Sequence, residues 1–322
     1  MALISRDYAH LDDGSDEESQ RSLVLTVEEK HFPSSLFGHK FAMDTMRDSD
    51  FLQLLRNFDS LETYCDAPHE SFYESAAICS IDVSIEEALD FPQRICTRIP
   101  IQVNSLSRQI TLRKVKKTWC RQVSHYFEWV GGVPELRLMS VRGKVNLVAR
   151  QLCKVNFVTL AFWTFQHSHQ GLWLGGGICF SEMENQDAVM RNCVSAIATF
   201  LQTHVISTFQ RIDVTREEYL FLKLIALFEV LDMHFLPQDR LIMDKALNKY
   251  RSALVFHIRR SHPELRHEAV IERVSALLGV LTYLESILDF HNIHMEEIIF
   301  QNNANMQGRL TAEIHLTKNR YD

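Results

Sequence analysis

Thr215-Arg-Glu-Glu218-Tyr-Leu-Phe-Leu-Lys-Leu-Ile-Ala-Leu-Phe228 opens on a hydroxyl with a carboxylate three residues later, then runs apolar to its end. A threonine hydroxyl can accept the amide of residue 218 while Glu218 reaches back to the amide of Thr215, a capping box. The stretch therefore predicts a helix over 215–229. No glycine falls between 178 and 278, so no glycine interrupts the helical pattern there. The whole chain has 11 glycines and 7 prolines in 322 residues, about half the usual combined share of roughly 12%. That scarcity excludes an all-β sandwich or barrel, which needs a turn every 8–12 residues or so. With 46% hydrophobic residues, it predicts long helices around a sizeable core.

Outward from this helix the pattern repeats. Phe51, Leu54, Leu55, Phe58 and Leu61 have helical spacing behind Asp48 or Ser49 as N-cap. A helix over 105–130 ends at Gly131-Gly132, and an apolar helix follows Pro134 over 140–165. Gly171–Phe180 places two short apolar runs around glycines, a hairpin signature. Helices are expected over 187–209, 238–260 and 264–299, with Pro237 and Pro263 at starts, where proline is tolerated. Residues 66–104 read as loop with helical turns at Ser84–Leu89, and Gly308 precedes a short amphipathic segment, Leu310–Leu316. The expected fold is all-α, about ten helices and one hairpin, with residues 1–48 as an acidic tail and linker and 49–322 as one domain.

The net charge is −7, and the first 30 residues hold eight acids against three bases. The body is thus near neutral, with no chain-wide attraction to nucleic acid. Seven cysteines lie at least 14 residues apart, so no C-x-x-C zinc module is encoded, and their apolar contexts read as reduced, buried thiols. The start lacks a signal-peptide pattern. The longest apolar run, Val155–Phe165, contains Asn156 and is too short for a membrane span.

Residues 91–127 hold eight bases and no acid (Arg94, Arg98, Arg108, Arg113, Lys114, Lys116, Lys117, Arg121). Leu112, Val115, Trp119 and Val123 interleave with them at helical spacing, so the run reads as the wet face of a helix and its leading loop. Among the 15 histidines, His291 and His294 precede Glu297, and His167 and His169 flank Ser168. Neither pair has a third ligand at zinc spacing, so no metal is expected. Gly175-Gly-Gly-Ile-Cys179 suggests no base for a cysteine nucleophile, and no paired catalytic groups occur, so no enzyme is expected. Phe51-Leu-Gln-Leu-Leu55 has a coregulator-like F-x-x-L-L spacing and reads as core.

Several blocks, in order, resemble a known family. Trp129-Val-Gly-Gly-Val-Pro134-Glu-Leu136 resembles the helix 3 exit of nuclear hormone receptor ligand-binding domains, W-A-K-x-x-P-x-F, and Gly143–Val148 stands where they have D-Q-x-x-L-L. Thr215–Phe228 is similar to T-E-x-E-L-x-x-L-K-A-I-x-L-F. Tyr250, His262-Pro263 and Arg273-Val-Ser-Ala-Leu-Leu278 followed by Leu281 and Leu284 match Y, H-P and R-F-x-x-L-L with its trailing leucines. Leu310-Thr-Ala-Glu313-Ile-His315 resembles the terminal activation helix. The resemblance covers about 49–322, and Lys144 in place of glutamine is closest to the divergent receptors of nematodes.

The resemblance implies a three-layer antiparallel helical sandwich in the nucleus, a transcription regulator without cofactors. Its pocket positions fall on Val115, Trp119, Gln122, Cys153, Asn156, Phe157, Leu160, Trp163, Phe180, His291, His294 and Met295. Trp163 replaces an arginine that often anchors ligand, so the pocket is expected to be small or filled and to take a neutral lipophilic ligand if any. The coregulator surface would comprise Val145, Leu310, Glu313 and Ile314, with Glu313 capping the bound L-x-x-L-L helix. Both partner bases are replaced, by Gly131 and Ala149, with Lys144 and Arg150 as neighbours, and Thr311 and His315 replace apolar residues of the last helix. Glu218 and Arg273 would form an ion pair between layers, and the 264–299 helix would join a homodimer or a heterodimer with another receptor. No cysteine occurs in the first 48 residues, so the family's zinc DNA-binding modules are not expected and direct DNA binding is not implied. The alternative is a helical lipid-binding or protein-interaction module outside transcription.

Overall fold

The computed structural model describes residues 47–66, 79–97, 112–167, 171–175, 178–180, 188–230 and 234–316. Nearly all of the acidic tail, the start of the helix expected near 105, Arg98, Arg108, His169 and Gly176-Gly177 lie outside the described residues. The protein is all-α with a single hairpin among the described residues. Its helices are α1 (Asp48–Asp66), α2 (Ile85–Asp90), α3 (Leu112–Gly131), α4 (Val141–His167), α5 (Ala188–Phe200), α6 (Ser207–Ile212), α7 (Arg216–Phe228), α8 (Pro237–Ser261), α9 (His267–Phe300) and α10 (Arg309–His315). A π-helical segment, Leu201–Ile206, joins α5 to α6 without a break. The hairpin pairs β1 (Leu172–Gly175) antiparallel with β2 (Ile178–Phe180), Leu172 opposite Phe180 and Trp173 opposite Cys179.

α7 is the centre of the molecule. Every residue from Glu218 to Phe228 is buried, because α4 and α8 flank it and α1 crosses it. A helix apolar on all sides must be enclosed. Its start is fixed by the capping box: Glu218 N–H donates to Thr215 Oγ1 at 3.2 Å and Thr215 N–H to Glu218 Oε2 at 2.9 Å. α1 and α3 form one outer layer; α4, α7 and α8 the middle; α6 and α9 the other side. Phe51 and Phe58 are 1% and 3% exposed, so α1 is held by its apolar stripe.

Two close approaches need glycine. A Cβ at Gly143 would lie 2.1 Å from Asp239 Oδ2, the carboxylate that accepts the Ser140 N–H and hydroxyl at 2.8 and 2.6 Å. A Cβ at Gly308 would lie 2.5 Å from Ile81, whose carbonyl accepts the Leu310 amide at 2.8 Å. The second contact delivers the last helix to the body of the protein.

One expectation is corrected. Arg121 is not on a wet face: it is 2% exposed, and its Nη2 donates to the Cys65 carbonyl at 3.2 Å. α3 is covered by α1, α2, α4 and β1 at once, so a base at this position goes inward.

Candidate functional site

α10 is short, and its burial is what gives it a fixed place. Leu310, Thr311 and His315 are all 0% exposed. The two polar residues sit there because their atoms have partners. Thr311 Oγ1 donates within reach of the Met306 and Gly308 carbonyls, at 2.7 and 2.9 Å. His315 lies between α3 and α9: Trp119 Nε1–H donates to its Nε2 at 3.3 Å, and its Nδ1 lies 3.2 Å from Asn292 Oδ1. An indole N–H can only donate, so Nε2 accepts and Nδ1 carries the proton toward Asn292. Burial holds His315 well below the usual imidazole value, with a smaller push from His291. His291 is likewise pushed down to about 4 by burial and by His294. Both rings are therefore neutral at neutral pH.

Glu313 is turned toward the chain itself. Its Oε2 accepts the amide of Ile85, the first residue of α2, at 2.8 Å, and its Oε1 meets Arg309 Nε at 2.8 Å. Ser84 and Glu87 complete a capping box on the same helix end. α2 packs against α3, α4 and α10, with Ile85 and Ala88 3% and 0% exposed and Leu89 against the core. Its inward residues therefore repeat at i, i+3 and i+4. Val145 and Ile314 are half-buried against the core, and Leu310 is wholly inside it. Gly131 is exposed with no neighbour within 4 Å of a built Cβ, Lys144 is half-buried, and Arg150 Nε donates to Asn146 Oδ1 at 2.8 Å.

The twelve inner-face positions divide. Val115, Trp119, Cys153, Phe157, Leu160, Trp163, Phe180 and Met295 are buried. The His291 ring meets the edges of Phe157 and His315 at centroid distances of 5.2 and 5.6 Å. Trp163 packs edge-on to His125 at 5.4 Å. Gln122 is spent on the hairpin, its Nε2 donating to the Leu174 carbonyl at 2.7 Å. Asn156 is half-exposed, and His294 bonds the Phe290 carbonyl of its own helix at 2.9 Å.

Glu218 and Arg273 are paired through two contacts, at 2.5 and 2.8 Å, and Arg273 also donates to the Ile212 and Asp213 carbonyls.

Two polar clusters escaped the sequence reading. Glu62, 0% exposed, receives Lys223 on both oxygens at 2.8 and 2.9 Å and the Tyr219 hydroxyl at 2.5 Å, while Lys223 lies 4.4 Å over the Trp129 ring. Cys153, His291 and His315 bring their ligand atoms within 4.8 Å of one another. Sequence spacing grouped His291 with His294 and Glu297; the actual neighbours come from α4 and α10, which no local pattern joins.

A family model for the ligand-binding domain of nuclear hormone receptors matches residues 102–298. A curated nuclear hormone receptor family member of Caenorhabditis elegans, nhr-100, is 25% identical over 201 residues, 59% of this chain and 44% of that protein. The chain thus spans less than half the length of that relative. The family match ends before α10 begins, so the terminal helix rests on the geometry above.

Proposed function

This chain belongs to the family of nuclear hormone receptor ligand-binding domains, and on that premise we propose that it is a receptor-type transcriptional regulator of the nucleus whose coregulator groove is filled by its own helix α2. The observation that carries this is the Glu313–Ile85 cap. A coregulator helix of the L-x-x-L-L type presents apolar residues at i, i+3 and i+4 and needs its first amides capped by a negative charge. α2 has Ile85, Ala88 and Leu89 at that spacing, Glu313 at its amide end, and contacts to α3, α4 and α10. Regulation is then a population shift: a coregulator binds only in the state from which α2 has left.

Any ligand of the inner face would be small, neutral and apolar, because Trp119 and Trp163 are buried there and Trp163 stands where a charged anchor would. Helix docking and ligand exchange, rather than bond chemistry, carry this function. Among the described residues no helix is long and apolar enough to cross a membrane.

Peptide binding tests it. A fluorescent L-x-x-L-L peptide is titrated against wild type, Ala88→Asp and Ala88→Asp/Glu313→Ala. Placing a carboxylate at a fully buried position ejects α2, so Ala88→Asp is expected to bind at least about 10-fold tighter, a gain of about 1.4 kcal/mol. Glu313→Ala is expected to cancel that gain. Equal affinity of wild type and Ala88→Asp, both folded by circular dichroism, would overturn the self-occupied groove.

A further inference from the structure

We propose that Cys153, His291 and His315 form a site for one zinc ion that bolts the terminal helix α10 to α4 and α9. Their ligand atoms lie within 4.8 Å of one another. Tetrahedral zinc with bonds of about 2.0 Å to nitrogen and 2.3 Å to sulfur holds its ligands about 3.5 Å apart, so small side-chain rotations close the set. One thiolate and two imidazoles suit zinc better than magnesium or calcium, which take oxygen ligands. Three protein ligands leave a fourth position for water or a small donor.

Two further observations point to a ligand here. His291 Nδ1 is buried and has no hydrogen-bond partner among the described residues. A buried polar atom left without a partner is costly, and an ion bound at that nitrogen would remove the cost. His315 is oriented as a metal-bound histidine usually is: its Nδ1–H faces a fixed acceptor, Asn292 Oδ1, leaving the Nε2 lone pair inward. What holds that lone pair now is the Trp119 N–H at 3.3 Å, longer than the usual N–H bond of about 2.9–3.0 Å. Zinc entry takes the lone pair from Trp119, converts the Cys153 thiol to thiolate and releases one proton to solvent.

The other cluster of similar composition, Glu62, Asp66 and His125, makes the contrast. Lys223 and Tyr219 already occupy Glu62, and Asp66 holds His125 at 2.8 Å. That cluster brings its own cation.

The ligand set stands without the regulatory reading above; only its effect on coregulator access rests on that reading. The full chain is stripped with chelator and titrated with Co2+, then Zn2+. Wild type is expected to bind one Co2+ per chain with a sulfur-to-cobalt charge-transfer band, displaced by Zn2+, and with a change in tryptophan emission from Trp119. Zn2+ at 100-fold over its Kd is expected to raise Tm by about 5 °C. Cys153→Ser should lose the band, and His315→Gln should weaken binding at least about 10-fold. No band in wild type, or a band that survives in Cys153→Ser, would overturn the site. The peptide assay is run in the same samples. Metal binding with equal peptide affinity of wild type and Ala88→Asp supports the site and overturns the regulatory reading. Absent metal binding with the expected peptide behaviour overturns the site and leaves that reading standing.

Discussion

Glu218 serves two partners with one carboxylate. It closes the capping box of α7 through Thr215, and it receives Arg273 from α9. Glu218→Gln can keep the cap, since glutamine serves at the same position, but it leaves Arg273 without its counter-charge. Breaking a buried pair on one side costs about 3–5 kcal/mol. Urea unfolding should show a loss of about 3 kcal/mol for Glu218→Gln at unchanged m value, against about 1 kcal/mol for Thr215→Ala. His125 contributes to the pH dependence beside His257, His291 and His315, which burial also holds down. Burial holds its imidazole below the usual value, only partly offset by Asp66. Burial alone would raise the Asp66 carboxyl; the His125 hydrogen bond and charge outweigh it, and the net shift is down. The unfolded chain therefore protonates His125 below about pH 6.5 while the folded one does not, and stability falls as pH drops. The Asp66 contribution is lost in the same direction, at still lower pH. Urea midpoints with chelator present should fall from pH 7.5 to pH 5.5, and His125→Gln should reduce that slope by its own share, leaving the part due to His257, His291 and His315. Both partners of Glu218 were open to sequence reading, one by a three-residue spacing and one by resemblance. Arg121 was not: its charge fitted a surface pattern, and only the crossing of α1 over α3 turned it inward.

At the scale of elements, spacing located the long helices to within a few residues. α7, α8 and α9 are long enough for apolar periodicity, caps and prolines to agree. α2 shows where that reasoning stops. Ser84–Leu89 read as helical turns in a loop, which gives its local form but not its destination. Its six residues could not hold a helix in isolation; contacts with α3, α4 and α10 and the Glu313 cap hold it in place. Removing that cap is expected to release it. In Glu313→Ala, amide hydrogen exchange at Ile85–Asp90 should accelerate about 5- to 30-fold, matching a lost bond to a charged acceptor of about 1–2 kcal/mol. Exchange in α7 should not change. Unaltered protection of α2 would show that packing alone retains it.

For the molecule as a whole, α9 carries exposed apolar surface at its C-terminal end. Ile271, Ile293 and Phe300 are 48%, 63% and 74% exposed, and at 100° per residue they fall within about 40° of one another. Ile293 and Phe300 make an exposed apolar patch at the C-terminal end of this 34-residue helix, and the chain is expected to dimerise by covering it with a second copy. Light scattering should report a dimer, and Ile293→Asp should weaken it at least about 10-fold and remove the dependence of the unfolding midpoint on protein concentration. A monomeric wild type at high micromolar concentration would rule this out. The amino-acid sequence by itself determined the all-α class, the order and approximate bounds of the long helices, the hairpin and the family. Those depend on periodicity, caps and breakers, which act within a few residues of one another. Only the tertiary structure decided that Glu313 caps the chain's own α2, that His315 enters the core, and that it lies near Cys153 and His291 there. Those outcomes pair residues from opposite ends of the chain. Their partners are set by which helices lie side by side, and local spacing carries no record of that.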